Sequence, residues 1–299
     1  MAAGFATRFR LRRRLGTVAL YLGALAAAFY LGAPFYWLVA SSFMYDAEAV
    51  SIPVHLTPQD PTLEHWEDYL FPKPHSETAN IGAATARVYR RGIFNSLVIA
   101  SAVTLANLVL GTLAAYSLAR LRFFGTSVLL LFYLGSRSVP AVAIMIPMFI
   151  LVQQFGLIDT HFVVILAHTT FTLPFTVWIL RGYFQTIPRD LEEAARVDGC
   201  GRIQALLRVF LPVAVPGLVA AGIFSFMLSW IEFLFALLFT ATEKSKTVTV
   251  MASAFTSDVD VSWTVIATGG VLAILPPLLL ALIFQRYIIA GLVGGALKG

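Results

Sequence analysis

The sequence predicts an all-α polytopic membrane protein with six transmembrane helices and both termini on the inner side of the membrane. Of its 299 residues, 59% are hydrophobic and only 12% are charged, whereas soluble domains carry about a quarter charged residues. Six apolar runs are long enough to cross a bilayer, which takes about 20 helical residues. Basic residues are concentrated in alternate connecting segments, as the positive-inside rule requires.

The six apolar runs lie near 17–40, 95–118, 126–152, 161–181, 212–240 and 262–286. The first follows a run of arginines typical of the start of a signal peptide. Its apolar part is too long for a signal peptide, so we expect an uncleaved span, with cleavage as the alternative. Pro276 and Pro277 should kink the last span, because proline lacks a backbone donor and clashes with the preceding turn.

Charge and cysteine content exclude several classes of protein. The net charge of +5 does not indicate a nucleic-acid partner, because the basic residues lie between apolar runs and form no single basic face. Cys200 is the one cysteine, which excludes an intrachain disulfide. The sequence has no H-E-x-x-H, no glycine-rich Walker A loop and no His/Cys cluster, so we expect neither an enzyme nor a metal site.

The longest outer loop is predicted over 42–93. Leu63, Trp66 and Tyr69 recur there at helical spacing, which predicts a short amphipathic helix near 62–70. Two interpretations stay open: the segment rests on lipid or on neighbouring spans, or it contacts an external partner.

The inner loop over 186–212 reads TIPRDLEEAARVDGCGRIQALLRVFLP and predicts two short helices. Pro188 suits a first helical turn, and the carboxylates of Asp190, Glu192 and Glu193 complement the dipole at a helix start. Gly199 is placed as a C-terminal cap, where a left-handed backbone is needed. The second helix is predicted over 202–210, with Pro212 beginning the fifth span.

The first helix of this loop should present Leu191, Ala194 and Ala195 on one face, and Glu192 is spaced for an i,i+4 ion pair with Arg196. A short helix with a small alanine face can enter a groove on a partner protein. An interfacial helix lying on the lipid headgroups is the alternative.

The same loop resembles a known family. Glu193-Ala194-Ala195, then Gly199, then Val209-Phe210-Leu211-Pro212 match the "EAA" loop of binding-protein-dependent ABC importers, except that Val209 replaces the usual isoleucine. Over nearly the whole chain the sequence resembles the smaller sugar permeases of the maltose-transporter type. Further matching stretches are Ala115-Tyr116, Ala119-Arg120, Gly156-Leu157, Asp159-Thr160, Trp230-Ile231-Glu232-Phe233 and the segment from Gln285 to Gly299.

The resemblance implies that residues 1–299 form one type I importer transmembrane domain in a bacterial or archaeal inner membrane, with both termini cytoplasmic. It implies alternating access, with ATP and Mg²⁺ bound by a separate ATPase dimer and no cofactor on this chain. The other implied partners are a second, similar permease, an external solute-binding protein, membrane lipid and a sugar or sugar derivative. The implied ATPase-coupling residues are Glu192, Glu193, Ala194, Ala195, Asp198, Gly199 and Pro212.

Polar residues inside spans are candidates for function because they are costly there. At about 1.5 Å per residue, Arg137 lies near the middle of the bilayer, either on the path or paired with a carboxylate or with carbonyl groups. His168 lies about 10 Å into the fourth span, where hydrogen bonding to a neighbouring helix is the alternative. Glu232 is expected near the outer surface. The candidate path residues are Arg137, His168, Phe226, Ser229, Trp230 and Glu232, although helix packing explains Phe226 equally well.

Two other functions compete with the importer. An ion-gradient-driven secondary transporter would need a coupling carboxylate deep in the membrane, where this chain has Arg137. A polytopic membrane enzyme would use His168 and Arg137 and would act without an ATPase.

Overall fold

In the computed structural model of the chain, residues 2–71, 81–121, 124–136, 138–254 and 262–296 are described. Every regular element within these ranges is helical. The helices are α1 Ala2–Ser41, α2 Asp46–Ala49, α3 Glu64–Leu70, α4 Ile81–Arg120, α5 Thr126–Ser136, α6 Ala141–Gln154, α7 His161–Phe184, α8 Asp190–Val197, α9 Arg202–Ala205, a π-helical turn Leu206–Phe210, α10 Leu211–Trp230, α11 Leu234–Phe239, α12 Val248–Ala254 and α13 Trp263–Ala296.

Five helical stretches of the described chain are long and apolar enough to cross a bilayer: Gly16–Ser41, Ala84–Arg120, His161–Phe184, Arg202–Trp230 and Trp263–Tyr287. They correspond to the first, second, fourth, fifth and sixth predicted spans. The third predicted span, 126–152, is not one helix but two, of 11 and 14 residues. These reach only about 16 and 21 Å, so six spans are not confirmed.

The interruption of the third predicted span has a local cause. Pro140 is the N-cap of α6, with ψ 129°. Proline has no N–H for a helical bond and disfavours the α conformation in the residue before it, so α5 cannot run into α6 as one ideal helix. Arg137, predicted near the middle of this span, lies outside the described residues.

Three predicted boundaries differ from the structure. Pro212 does not begin a new helix, because α9, the π turn and α10 are continuous from Arg202 to Trp230. The wider π turn directly before Pro212 relaxes the i→i−4 ladder in which a proline would clash. The helix of the fifth span ends at Trp230 instead of 240, and α4 begins at Ile81, inside the predicted outer loop.

The chain divides into two compact units. Unit 1 comprises Met1–Ala86 and Ser262–Val271, and unit 2 comprises Arg87–Val261 and Leu272–Gly299. In unit 1 the predicted helix near 62–70 is confirmed as α3. Its Tyr69 hydroxyl donates to the Val265 carbonyl at 3.1 Å, and Trp66 stacks on Phe43 at 5.6 Å. These contacts support the interpretation that the segment packs within the protein.

The first turn of α13 in unit 1 is held by a carboxylate from α2. Asp46 Oδ1 accepts hydrogen bonds from the Thr264 amide at 3.2 Å, the Thr264 hydroxyl at 2.7 Å and the Ser262 hydroxyl at 3.0 Å. A carboxylate that accepts from a backbone N–H at a helix start stabilises that start.

In unit 2, α7 and α10 pack closely along their length. Gly217 of α10 faces the ring of Tyr183, where a Cβ would lie only 2.4 Å from the nearest ring atom. At one end of this pair, which we call the α8 end, Leu180, Phe184 and Phe210 form a buried cluster beside the last turn of α4.

At the opposite end of unit 2, which we call the Asp159 end, the connection between α6 and α7 meets the segment after α11. The Asp159 amide donates to the Phe239 carbonyl at 2.8 Å. The Asn95 amide of α4 donates to the carbonyls of Glu243 and Lys246 at 3.1 and 2.9 Å. The structure thus brings together connections that the predicted topology places on one side of the membrane.

Candidate functional site

Helix α8 ends in a Schellman motif built on a glycine. Gly199 has φ +87°, its amide donates to the Arg196 carbonyl at 3.1 Å, and the Cys200 amide donates to the Ala195 carbonyl at 2.9 Å. The predicted C-terminal cap is therefore confirmed. No atom lies within 4 Å of the place where a Cβ would stand, so backbone conformation and not space requires glycine here.

The two faces of α8 differ from the predicted pattern. Ala195 is buried and Glu192 is partly buried, whereas Leu191 and Ala194 are exposed. Leu191, Ala194 and Ala195 therefore do not share one environment, because the inward face is centred between Glu192 and Ala195.

The outward face of α8 and the turn after it combine carboxylates with aliphatic side chains. The exposed residues include Glu193, Ala194, Val197, Asp198 and Gly199, with Ile203 and Pro212 exposed in the helix that follows. Asp190, Leu191 and Arg196 of α8 are exposed as well. Val197 is 88% exposed and Ile203 73%. Exposed aliphatic side chains rimmed by charges are typical of a protein-binding surface.

The inward side of the loop contacts Arg120, the last residue of α4. Arg120 Nη2 donates to the Ile187 carbonyl at 2.7 Å, and Arg120 Nε lies 3.7 Å from Glu192 Oε1. The guanidinium also stands 4.9 Å from the centroid of the Phe210 ring. Glu192 thus pairs with Arg120 and not with Arg196 as predicted, because the carboxylate points inward.

Sequence analysis did not single out Arg120 as a loop contact. Its sequence signal was a basic residue at the end of a long apolar helix, which inner helix ends commonly carry. Phe210, in the Val209-Phe210-Leu211-Pro212 stretch, is the aromatic centre of this end. Its ring meets those of Tyr116 and Phe184 edge-on, at 5.4 and 4.9 Å between centroids.

A second polar site lies toward the Asp159 end, between α7 and the end of α10. His168 Nδ1 lies 2.8 Å from Ser229 Oγ, and His168 Nε2 lies 2.9 Å from Glu232 Oε2. The Glu232 carboxylate also accepts the amides of Phe235 and Ala236, each at 3.1 Å. Glu232 therefore caps α11 while it contacts α7.

Glu232 lies beside the second turn of α7. Its contact His168 is the eighth residue of α7, about 10 Å from the start of that helix. After Glu232 the chain continues through α11 to Phe239, whose carbonyl reaches Asp159.

Asn107 of α4 was not identified from the sequence. Its side-chain amide donates to Thr172 Oγ1 at 2.6 Å and to Ser225 Oγ at 2.7 Å, and it is fully buried. It links α4 to α7 and α10 through side chains alone. Its signal in the sequence was a polar amide side chain within an apolar run. Such side chains form the interhelical hydrogen bonds that hold membrane helices together.

Four of the candidate path residues are buried within this chain: His168, Phe226, Ser229 and Trp230. Phe226 stacks on Trp230 at 5.6 Å. Residues that line half of a pore must be reachable from outside the chain, whereas these contacts are made within it. In this chain alone His168 and Phe226 pack between helices, and their part in a pathway stays a prediction.

Asp159 holds the loop after α11. It has φ +62°, and its carboxylate accepts from the amides of Ala241 and Thr242 at 3.0 Å and from the Thr242 hydroxyl at 2.6 Å; the Ser245 hydroxyl also donates to it. Burial raises the pKa of this carboxyl, but the hydrogen bonds from Ser245, Thr242 and Ala241 outweigh burial and lower it below its ordinary value.

A cavity of about 410 Å³ lies in unit 1. The described path candidates belong to unit 2, so none of them lines this cavity. Ser41 contributes a buried hydroxyl without a hydrogen-bond partner in the described structure. The other lining residues are Trp37, Leu38, Ala49, Val50, Trp263, Ile266 and Ala267.

Comparison with known protein families matches residues 107–293 to "Binding-protein-dependent transport system inner membrane component". The match includes Asn107, the whole of α8 and the π turn. The chain belongs to this family. It is accordingly a multi-pass membrane component of a transport system and not an enzyme.

Curated relatives of this family member are transport permeases. It is 32% identical to the trehalose/maltose transport system permease protein MalG of Thermococcus litoralis, over 95% of this chain and 98% of the relative. It is 32% identical to the sulfoquinovosyl glycerol transport system permease protein SmoH of Agrobacterium fabrum, over 89% and 88%. It is 38% identical to the trehalose transport system permease protein SugB of Mycobacterium tuberculosis, over 71% and 78%.

The fold of this family member also matches a solved structure. A chain in the crystal structure of a bacterial ABC transporter involved in import of the acidic polysaccharide alginate aligns with a TM-score of 0.73 and 22% identity. The alignment covers 92% of this chain and 96% of that one. The architecture is therefore that of an ABC importer permease.

Proposed function

We propose that this chain is a permease subunit of an ATP-driven importer and forms half of the translocation pathway for a sugar or sugar derivative. It couples through the loop 186–212 to a separate ATPase, which binds ATP and Mg²⁺. A second, similar permease and an external solute-binding protein complete the transporter.

The observation that carries the proposal is the presentation of α8. Its inward face is packed through Ala195 and Glu192, and its C-terminal end is fixed by the motif at Gly199. Glu193, Ala194 and Val197 are left exposed together with Arg196, so the helix offers a mixed apolar and charged surface. A helix presented in this way suits a groove on a partner protein.

The α8 end is proposed to face the cytoplasm of a bacterial or archaeal cell, because an ATPase must be reached there. Both termini are proposed to lie on the same side. In the coupling mechanism, ATP binding closes the ATPase subunits, and the displacement of α8 is passed to the spans and turns the pathway outward.

A sugar-type substrate is supported by the relatives, which are named for trehalose, maltose and sulfoquinovosyl glycerol. Arg137 remains a candidate for the pathway. His168, Ser229 and Glu232 are proposed to support the pathway indirectly, by fixing the break between α10 and α11.

The test is purification of the tagged chain from its host in mild detergent, with mass spectrometry of the associated proteins. The wild type should retain an ATPase and a second permease. The double substitution Glu193→Arg with Ala194→Arg should lose the ATPase and keep the permease, because it places two bulky cations on the outward face of α8. Gln154→Arg, an exposed position at the end of α6, is the matched control and should lose neither.

Full retention of the ATPase by the double variant would refute docking through α8. A chain that purifies alone and transports without ATP would overturn the importer proposal and favour an ion-gradient-driven transporter.

A further inference from the structure

We infer that Arg120 is the positioning residue of the coupling loop: it sets the rotation of α8 and joins the loop to α4. The coupling part of this inference rests on the proposed function. The positioning part concerns contacts within the chain and stands independently of any ATPase.

The position of Arg120 is a costly one for a cation. Its side chain is only 4% exposed, and arginine stays protonated in proteins. A buried charge is retained only where it is paired and hydrogen-bonded. Here Nη2 is hydrogen-bonded to the Ile187 carbonyl, and the Glu192 carboxylate and the Phe210 ring lie beside the guanidinium. Nε and Glu192 Oε1 form an ion pair at 3.7 Å without a hydrogen bond, and neither atom has another hydrogen-bond partner in the described structure.

Each of the three contacts reaches a different part of the loop. Ile187 precedes α8, Glu192 lies in its first turn, and Phe210 ends the π turn. Different parts of one guanidinium make them: Nη2 binds the carbonyl, Nε faces the carboxylate and the planar face covers the ring. A lysine ammonium is a compact charge and lacks this planar fork.

Arg120 also distinguishes between two neighbouring carboxylates. Glu192 is partly buried and faces Arg120, whereas Glu193 is exposed. Adjacent residues of an α-helix are about 100° apart, so a cation that attracts Glu192 inward turns Glu193 and Ala194 outward. The remaining buried residue of α8 is Ala195, whose single methyl group gives little resistance to rotation.

A mechanical consequence follows for α4. The loop continues covalently into α7 on one side and into α10 on the other. Arg120 adds a third connection, from α8 to the end of α4. A displacement of α8 is therefore delivered to α4 together with α7 and α10.

The experiment uses the full transporter in detergent and in proteoliposomes. It compares the wild type with Arg120→Lys, Arg120→Met and the double variant Arg120→Met with Glu192→Leu. Arg90→Met is the matched control, because it removes the same charge from an exposed position of α4 at the end opposite the loop. Hydrogen exchange of the peptides covering 186–205 and substrate transported per ATP hydrolysed are measured.

Arg120→Lys and Arg120→Met should accelerate exchange within 190–199 by about ten-fold or more, the effect expected when a charge-assisted hydrogen bond is lost. Transport per ATP should fall by about five-fold or more. If Arg120→Met alone does not fold, the double variant removes the stranded Glu192 charge as well. It should fold and still show fast exchange and poor coupling, whereas Arg90→Met should match the wild type.

Wild-type exchange in Arg120→Lys and in the double variant would overturn the positioning role. Fast exchange with unchanged coupling would overturn the link from positioning to coupling. Failure of the wild type to bind any ATPase would refute the proposed function, while the exchange comparison would still decide whether Arg120 positions α8.

Discussion

Replacing Gly199 by valine tests the end of α8 at one backbone position. In the described structure no atom outside Gly199 and its two neighbours lies within 4 Å of the Cβ position, so the Cβ of valine would meet no steric clash there. It would instead have to adopt φ +87°, where a residue with a Cβ pays about 1–2 kcal/mol. If it leaves that conformation, it loses the bonds from Gly199 N to Arg196 O and from Cys200 N to Ala195 O, at about 1 kcal/mol each.

Either route destabilises the end of α8 by about 1–2 kcal/mol, which is comparable with the free energy that typically couples two sites. We expect Gly199→Val to retain assembly and ATP hydrolysis but to lose most transport per ATP in proteoliposomes. Gly199→Asn is the matched control, because asparagine adopts left-handed backbone readily, and it should retain most of the coupling.

Coupled transport by the valine variant at the wild-type level would refute the role of the left-handed cap. Equal loss in the valine and asparagine variants would also contradict the reasoning, since it would indicate a side-chain clash with the ATPase and not a backbone requirement.

Three further outcomes are expected. Gly217→Ala should lower the thermal unfolding temperature, at a cost of about 1–3 kcal/mol, because its Cβ would stand 2.4 Å from the Tyr183 ring; Gly182→Ala, with open space at its Cβ, should not. Because the pKa of Asp159 is lowered in the folded chain, the stability that its carboxylate contributes is complete above the ordinary pKa of 3.8 and is lost as the pH falls below it. Asp159→Asn should therefore flatten the acid dependence of hydrogen exchange at the amides of Ala241 and Thr242. An unchanged dependence in this variant would exclude Asp159 as its source. A membrane-impermeant maleimide should label Cys200, a partly exposed free thiol, in inside-out vesicles but not in intact cells, and labelling from outside alone would reverse the proposed orientation.

Local chemistry made α8 predictable. Its acidic first turn and its glycine cap follow from backbone rules that operate within a few residues, and the structure has both. The same local reasoning was wrong at Pro212, because a π turn two residues earlier changes what a proline can do there. Pro140 indicated a break in the third predicted span. The span was assigned from hydrophobicity, which does not register the effect of a proline on the helix.

The polar contacts between spans could not be predicted, because their partners are far apart in the chain. Asn107 binds residues 65 and 118 positions away. Lipid tails are as apolar as a protein core, so hydrophobic periodicity does not separate the two faces of a membrane helix. Trp178, which is half exposed, and Trp230, which is buried, are equally apolar in the sequence. The burial of His168 and Ser229 therefore could not be predicted from the sequence and is seen only in the structure.

The unbroken helix from Arg202 to Trp230 makes this part of the chain a lever arm. Its 29 residues span about 44 Å, with the loop 186–212 at one end and the Glu232–His168 contact just beyond the other. A hinge at Pro212 would have absorbed motion before it reached the spans. Because no helix end separates Arg202 from Trp230, we expect a rotation imposed at Arg202 to reach Trp230 with the same sign, reduced by what the π turn and Pro216 absorb.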